Sequence, residues 1–179
     1  MISRVIVLAF TMLPWSLLAQ TAQKPLPRFQ DYPPTEKWSG VHSDVQITSA
    51  EERLFRTNLR EASKQPPNFA GRYRVTSWGC GTVCIQGGMV DLETGSVSPL
   101  PPGGKKRGEG YWDVCYSAFG LSGHWELAIG YRADSRLLVL RCADATGRDG
   151  GAHIRTSYYI YENGSFEKIR SVVSRERVF

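Results

Sequence analysis

The chain has 179 residues, 41% hydrophobic and 22% charged, proportions ordinary for a packed globular domain and unlike those of disordered or collagen-like chains. Twenty-two lysines and arginines against seventeen aspartates and glutamates give a net charge of +5, a mild excess that does not by itself point to a nucleic-acid partner.

Residues 1–19 read as an export signal. Arg4 supplies the positive start, Val5 to Leu18 is apolar, and Leu17-Leu18-Ala19 offers a small residue for cleavage. A cut after Ala19 leaves 160 residues at a charge of +4. Every cysteine lies at position 80 or later, so none follows the cut to carry a lipid anchor. No later apolar run approaches spanning length, so no membrane span is expected. A short signal with one arginine and few serines is bacterial rather than mitochondrial in character, and the expected destination is the periplasm or the exterior.

Residues 20–47 form a lead-in whose Pro25, Pro27, Pro33 and Pro34 disfavour helix and central strand alike. A single domain is expected over 48–179. Ser49 can cap a helix while Glu52, three residues on, closes a capping box. Leu54, Phe55, Leu59 and Ala62 share one broad face opposite Arg53, Arg56, Arg60 and Lys64, and Pro66-Pro67 ends the run. One amphipathic helix over about 50–63 follows.

Beyond Pro67 the apolar pattern shortens to two-residue alternation broken by glycine turns. Strands are predicted over 71–78, 82–92, from Val97, 111–119, 125–131, 137–142, 153–162 and 166–173. Gly95 suits the turn after Asp91, and Asn163-Gly164 is a strong type I′ hairpin signal. The hairpins around 89–97 and 159–166 share an outline, a weak repetition. Residues 101–108 and 145–151 read as flexible loops. A propeller needs more blades than this length supplies. The predicted class is α+β: predominantly antiparallel β-sheet, curled or folded into a small sandwich, with one N-terminal amphipathic helix.

Four cysteines in an exported chain suggest two disulfides. Cys80 with Cys84 and Cys115 with Cys142 is the favoured pairing, because the first two share a glycine-rich turn and the second two lie in separate apolar segments.

The densest unusual segment runs Ser77-Trp78-Gly79-Cys80-Gly81-Thr82-Val83-Cys84-Ile85-Gln86-Gly87-Gly88. Together with Asn68-Phe69-Ala70-Gly71, Val90-Asp91-Leu92-Glu93-Thr94-Gly95 and Asp134-Ser135-Arg136-Leu137-Leu138-Val139, it resembles an uncharacterised family of small exported bacterial proteins with a W-G-C-G-T-x-C motif. The resemblance covers about a third of the chain left after cleavage and implies a β-rich exported domain with no activity attached.

Catalytic signatures fail on spacing. The Cys80 and Cys84 turn lacks the C-G-S-C-W context of papain-like enzymes, and Gly120-Leu121-Ser122-Gly123-His124 places a histidine where a nucleophile elbow needs glycine. His124-Trp125-Glu126 has no P-C-x-x-C partner for a zinc deaminase. Gly103-Gly104-Lys105 lacks the strand-to-helix setting of a phosphate loop. No cofactor is expected. Asp91, Asp113, Glu126 and Asp134 could serve an envelope hydrolase if two of them met. Cys80 and Cys84 with Met89, His124 or His153 could hold copper, although the thioredoxin-like setting and flanking prolines of copper-delivery proteins are missing.

The remaining candidates are for recognition. Lys105, Lys106 and Arg107 form the one basic cluster, in a loop able to reach anionic envelope surfaces. Trp78 beside a disulfide-fixed turn is an aromatic anchor on one reading and core on the other. The expected role is a non-catalytic binding or inhibitory module for an envelope protein or polysaccharide, with a hydrolase and a copper-handling protein as alternatives.

Overall fold

The structure is a computed structural model that describes residues 24–81, 84–101, 113–115, 129–146 and 151–177. The expected export signal, the Lys105, Lys106 and Arg107 loop and the whole stretch from 116 to 128 lie outside the described residues.

After a short 3-10 turn (Phe29–Asp31) come α1 (Ala50–Leu54) and α2 (Arg56–Ser63). Eight strands follow: β1 (Tyr73–Gly81), β2 (Cys84–Asp91), β3 (Val97–Pro99), β4 (Asp113–Cys115), β5 (Ile129–Arg132), β6 (Ser135–Thr146), β7 (Gly151–Glu162) and β8 (Ser165–Arg177). They make two antiparallel sheets. In the first, β2 pairs β1 on one side and β3 and β4 on the other; the second is the meander β5-β6-β7-β8. Asn163 and Gly164 turn β7 into β8 with φ of 50° and 77°, as a type I′ hairpin requires.

The sheets form a sandwich because alternation along β1 and β2 gives the first sheet two apolar faces. Val75, Ile85 and Met89 face one way and pack with Val114, Ile129, Leu138, Leu140, Ile154 and Tyr159 in a core shared by both sheets. Trp78, Val90 and Leu92 face the other way and meet Leu59 and Ala62 of α2.

The helical segment departs from the single helix expected over 50–63. It breaks at Phe55, whose backbone (φ −112°, ψ 17°) leaves the helical region. The break stacks the Phe55 ring on Trp78 at 4.7 Å and leaves Leu54 76% exposed. The capping box does form: Ser49 Oγ accepts from the Glu52 amide at 3.1 Å, and Glu52 Oε2 accepts from the Thr48 and Ser49 amides at 2.6 and 3.0 Å.

The proline-rich lead-in is built into the fold as a strap. Proline denies it a strand ladder, so its remaining backbone groups pair with turns instead. Arg136 N–H donates to Tyr32 O (2.9 Å), Trp38 N–H to Gly71 O (3.3 Å), Ser43 N–H to Leu92 O (2.9 Å) and Gln46 N–H to Gly95 O (2.8 Å). Two left-handed glycines permit this close approach. A Cβ on Gly71 (φ +83°) would strike the Glu36 carbonyl, and one on Gly95 (φ +75°) the Asp44 carbonyl.

Arg72 fastens the strap by charge. Its guanidinium lies 2.6 Å from Glu36 on the strap, 3.1 Å from Asp91 at the end of β2 and 2.5 Å from Glu93 in the following turn. The loop before it also joins the two sheets, since the amides of Ala70 and Gly71 donate to the carbonyls of Ser135 (3.0 Å) and Ala133 (2.8 Å).

Two stability outcomes follow. Arg72→Ala leaves three carboxylates together, Asp91 among them at 9% exposure, and costs about 2–3 kcal/mol. Arg72→Lys recovers only part of that, because one ammonium cannot span three partners; urea titration showing Arg72→Lys equal to wild type contradicts the clamp. For Glu52, burial pushes the pKa up, but the amides and hydroxyls of Thr48 and Ser49 outweigh it and hold the carboxyl below its ordinary value. A depressed folded pKa contributes stability that is present above the ordinary glutamate range and lost as pH falls through the folded value. Glu52→Gln therefore costs about 1 kcal/mol at neutral pH. The difference from wild type shrinks in acid, and a gap that persists at the lowest pH at which both fold contradicts the assignment.

Candidate functional site

Beside the Arg72 clamp, where the strap crosses from one sheet to the other, lies a cleft of about 280 Å³. Thr35 and Glu36 of the strap form one wall, Ala70, Arg72 and Tyr73 a second, and Arg136 with the Tyr161–Gly164 hairpin a third. The volume is near the low end for ligand sites and accommodates one sugar ring or a short stretch of peptide.

An aromatic cluster that closes this end of the sandwich sits beneath it. Tyr73 meets Tyr161 edge to face at 4.8 Å, Tyr161 meets Phe166 at 4.9 Å, and Phe69 stacks on Phe166 at 5.9 Å. Arg72 lies over the Tyr73 ring at 5.1 Å. Burial, with the neighbouring Tyr73 and Asp91, raises the Tyr161 pKa well above that of a free tyrosine, so the phenol stays protonated across the physiological range. Burial opposes the charge of Arg72, but Tyr73, Asp91 and Glu36 outweigh it and raise its pKa.

Charges of both signs alternate around the rim. Arg136 contacts Glu162 at 2.5 Å while Arg72 holds Glu36. The Nε–H groups of Arg72 and Arg136 are shielded from solvent and have no hydrogen-bond partner among the described residues, as does that of Arg74 outside the cleft. A shielded donor left unmade is costly, so both guanidiniums favour an acceptor brought in beside them. Guanidinium donors, carboxylate acceptors and tyrosine together suit a neutral, polar ligand rich in hydroxyls or amides.

Among the described residues, Trp78 and the Cys80–Cys84 turn do not line the cleft. Trp78 is 8% exposed, stacked on Phe55, with its Nε1–H donating to Gln86 Oε1 at 3.2 Å. Lys105, Lys106 and Arg107 lie outside the described residues. Cys80 and Cys84 are joined in a disulfide, with Cα atoms 5.1 Å apart, at the turn end of the β1–β2 hairpin. Cys142 is disulfide-bonded too, its sulfur 3.5 Å from the carbonyl oxygen of Val114; the side chain of the adjacent Cys115 lies outside the described residues.

Of the hydrolase candidates, Asp91 accepts from the Glu93 and Thr94 amides (3.0 and 3.4 Å) and pairs with Arg72, while Asp134 pairs with Arg132 at 2.8 Å in the β5–β6 turn. The side chains of Asp113 and Glu126 are outside the described residues. Of the copper candidates, Met89 is core and His153 is on the exposed surface of β7, His124 lying outside the described residues. No group of three or more metal-ligating side chains occurs among the described residues.

The cleft residues Glu36, Arg72, Tyr73, Arg136, Tyr161 and Glu162 were not legible as a set, being spread over 127 positions of the chain. One signal could have found them. Three segments that carry the family resemblance, 68–71, 90–95 and 134–139, meet around the clamp: Ala70 bonds to Ser135, Asp91 and Glu93 pair with Arg72, and Arg136 lines the cleft. No helix among the described residues is long and apolar enough to cross a membrane. No family model, no curated protein and no solved structure matches the chain, so the resemblance rests on its own residues.

Proposed function

We propose that the protein is an exported, non-catalytic binding or inhibitory module that takes a polar segment of an envelope polysaccharide or protein into the cleft between its sheets. The observation that carries the reading is the cleft itself, in which two arginines and two glutamates surround paired tyrosines at the junction of strap and sheets. Arginine and tyrosine dominate recognition patches because each combines apolar area with directed hydrogen bonds. Rigidity supports it as well: a cleft already walled by the strap loses little conformational freedom on binding. A hydrolase reading has less support, because Asp91 and Asp134 are each occupied by turn amides or an ion pair. The Cys80–Cys84 bond likewise occupies the thiolates that a copper site needs. The Lys105, Lys106 and Arg107 loop remains a second contact in this proposal, adding long-range attraction to anionic surfaces.

The test compares retention of envelope extract and of purified envelope polysaccharide on the immobilised chain and on Arg136→Ala. The Arg136 pair with Glu162 is partly exposed, so its loss leaves the melting temperature within a few degrees of wild type. Retention is expected to fall about tenfold or more. Unchanged retention by Arg136→Ala removes the cleft from the account. If retention is instead lost only when Lys105, Lys106 and Arg107 are replaced by alanine, the site is that loop.

A further inference from the structure

Among the described residues β8 is the longest strand, and it forms one margin of the second sheet with β7 its only strand neighbour. An edge of this length is a template for further pairing unless something blunts it. One blunting device is present. The β7–β8 register shifts between Tyr158 and Tyr159, which makes Ile169 a bulge residue and breaks the straight edge there. From Arg170 to Glu176 the pairing is regular.

The backbone phase of that regular stretch follows from the turn. The type I′ hairpin makes Glu162 and Ser165 a hydrogen-bonded pair, so Ile160, Tyr158, Thr156 and Ile154 of β7 turn their amides and carbonyls toward β8. Their partners beyond the bulge are Arg170, Val172 and Ser174. Ser171 and Val173 therefore direct their own backbone groups away from β7. The side chain of Val173 is 52% exposed, one of four large apolar side chains so exposed among the described residues.

We infer that this edge pairs with the same edge of a second copy of the chain, antiparallel about a two-fold axis through Val173, to give a continuous eight-stranded sheet. Register selects the axis. Outward backbone groups must face outward groups, so the axis must pass through a residue. With the axis at Val173, Arg170 stands opposite Glu176 of the partner subunit and Glu176 opposite Arg170 of the partner subunit. Val172 then faces Ser174 of the partner subunit, Ser171 faces Arg175 of the partner subunit, and the two Val173 side chains cover each other. The whole window lies beyond the bulge. Other registers are worse. An axis at Arg170 sets two arginines face to face, and one at Ile169 sets Lys168 against arginine. Axes at Ser171 or Val172 leave at most five paired residues beyond the bulge and, like one at Ser174, make no charge pair there. The charges that guard the edge against general aggregation thus admit one self-complementary alignment. Arg170 and Glu176 keep their present contacts, to the carbonyls of Lys24 and Pro25 and to Arg141, because each has donor or acceptor capacity to spare.

The test is the mass of the full exported chain across a concentration series, by sedimentation equilibrium. Wild type is expected to reach the mass of two chains as concentration rises. Val173→Pro removes an outward N–H and no β7–β8 bond, so it should weaken self-association about tenfold or more while melting close to wild type. Arg170→Glu and Glu176→Arg each place like charges opposite one another twice in the self-pair, and each alone is expected to be monomeric. Mixed in equal amounts they restore both opposite-charge pairs, and a two-chain mass reappears. A wild type that stays monomeric at its highest soluble concentration overturns the inference. So does a Val173→Pro chain that associates as wild type does, or a mixture that remains monomeric.

Discussion

Arg72 is where the separate parts of this protein are made one. A single guanidinium touches a strap carboxylate, the carboxylate ending β2 and the carboxylate of the next turn. A lysine would satisfy one of these and leave the others in mutual repulsion, whereas the planar fork of arginine reaches several acceptors at once. The glycine beside it matters as much, since only a residue without Cβ lets the strap carbonyl of Glu36 come so near the backbone. Charge and close approach therefore act at adjacent positions, 71 and 72. The cleft is a consequence, because the docked strap supplies the wall that the two sheets alone leave open.

Much of the β architecture could be read in advance because its signals are local. Alternation marked β1, β2, β6 and β7, and Asn163-Gly164 set a hairpin by itself, since both residues tolerate the left-handed conformation a type I′ turn demands. Ser49 and Glu52 capped a helix three residues apart, again a local matter. The break at Phe55 carries no local signal: it accompanies a stack of that ring on Trp78, a strand residue more than twenty positions away. The strap was missed for the same reason. Its prolines truthfully exclude helix and ladder, yet the groups it pairs with, Gly71, Leu92 and Gly95, lie in other elements. Trp78 shows the ambiguity of aromatic residues in small β domains, where one ring type serves core and contact surface and only burial separates them.

The cysteines fit the same picture of a small fold fastened at its ends. The Cys80–Cys84 bond fastens the turn end of the β1–β2 hairpin, opposite the open end held by Arg72 and Asp91. Its short loop means that most of its effect is local, restricting the turn rather than the whole unfolded chain. Disulfides at Cys80, Cys84 and Cys142 are compatible with an oxidising compartment, as expected of an exported chain.

The account stands on the strap being part of the folded structure, held at Arg72, and not a tail that precedes it. Native-state hydrogen exchange of the Trp38, Ser43 and Gln46 amides tests this most directly, since each donates to a carbonyl of the first sheet or its turns. The account predicts that all three exchange far more slowly than in an unstructured peptide, and that Arg72→Ala speeds them more than it speeds the amides of β7. Exchange of the three strap amides at the unstructured rate, while β7 stays protected, would contradict it.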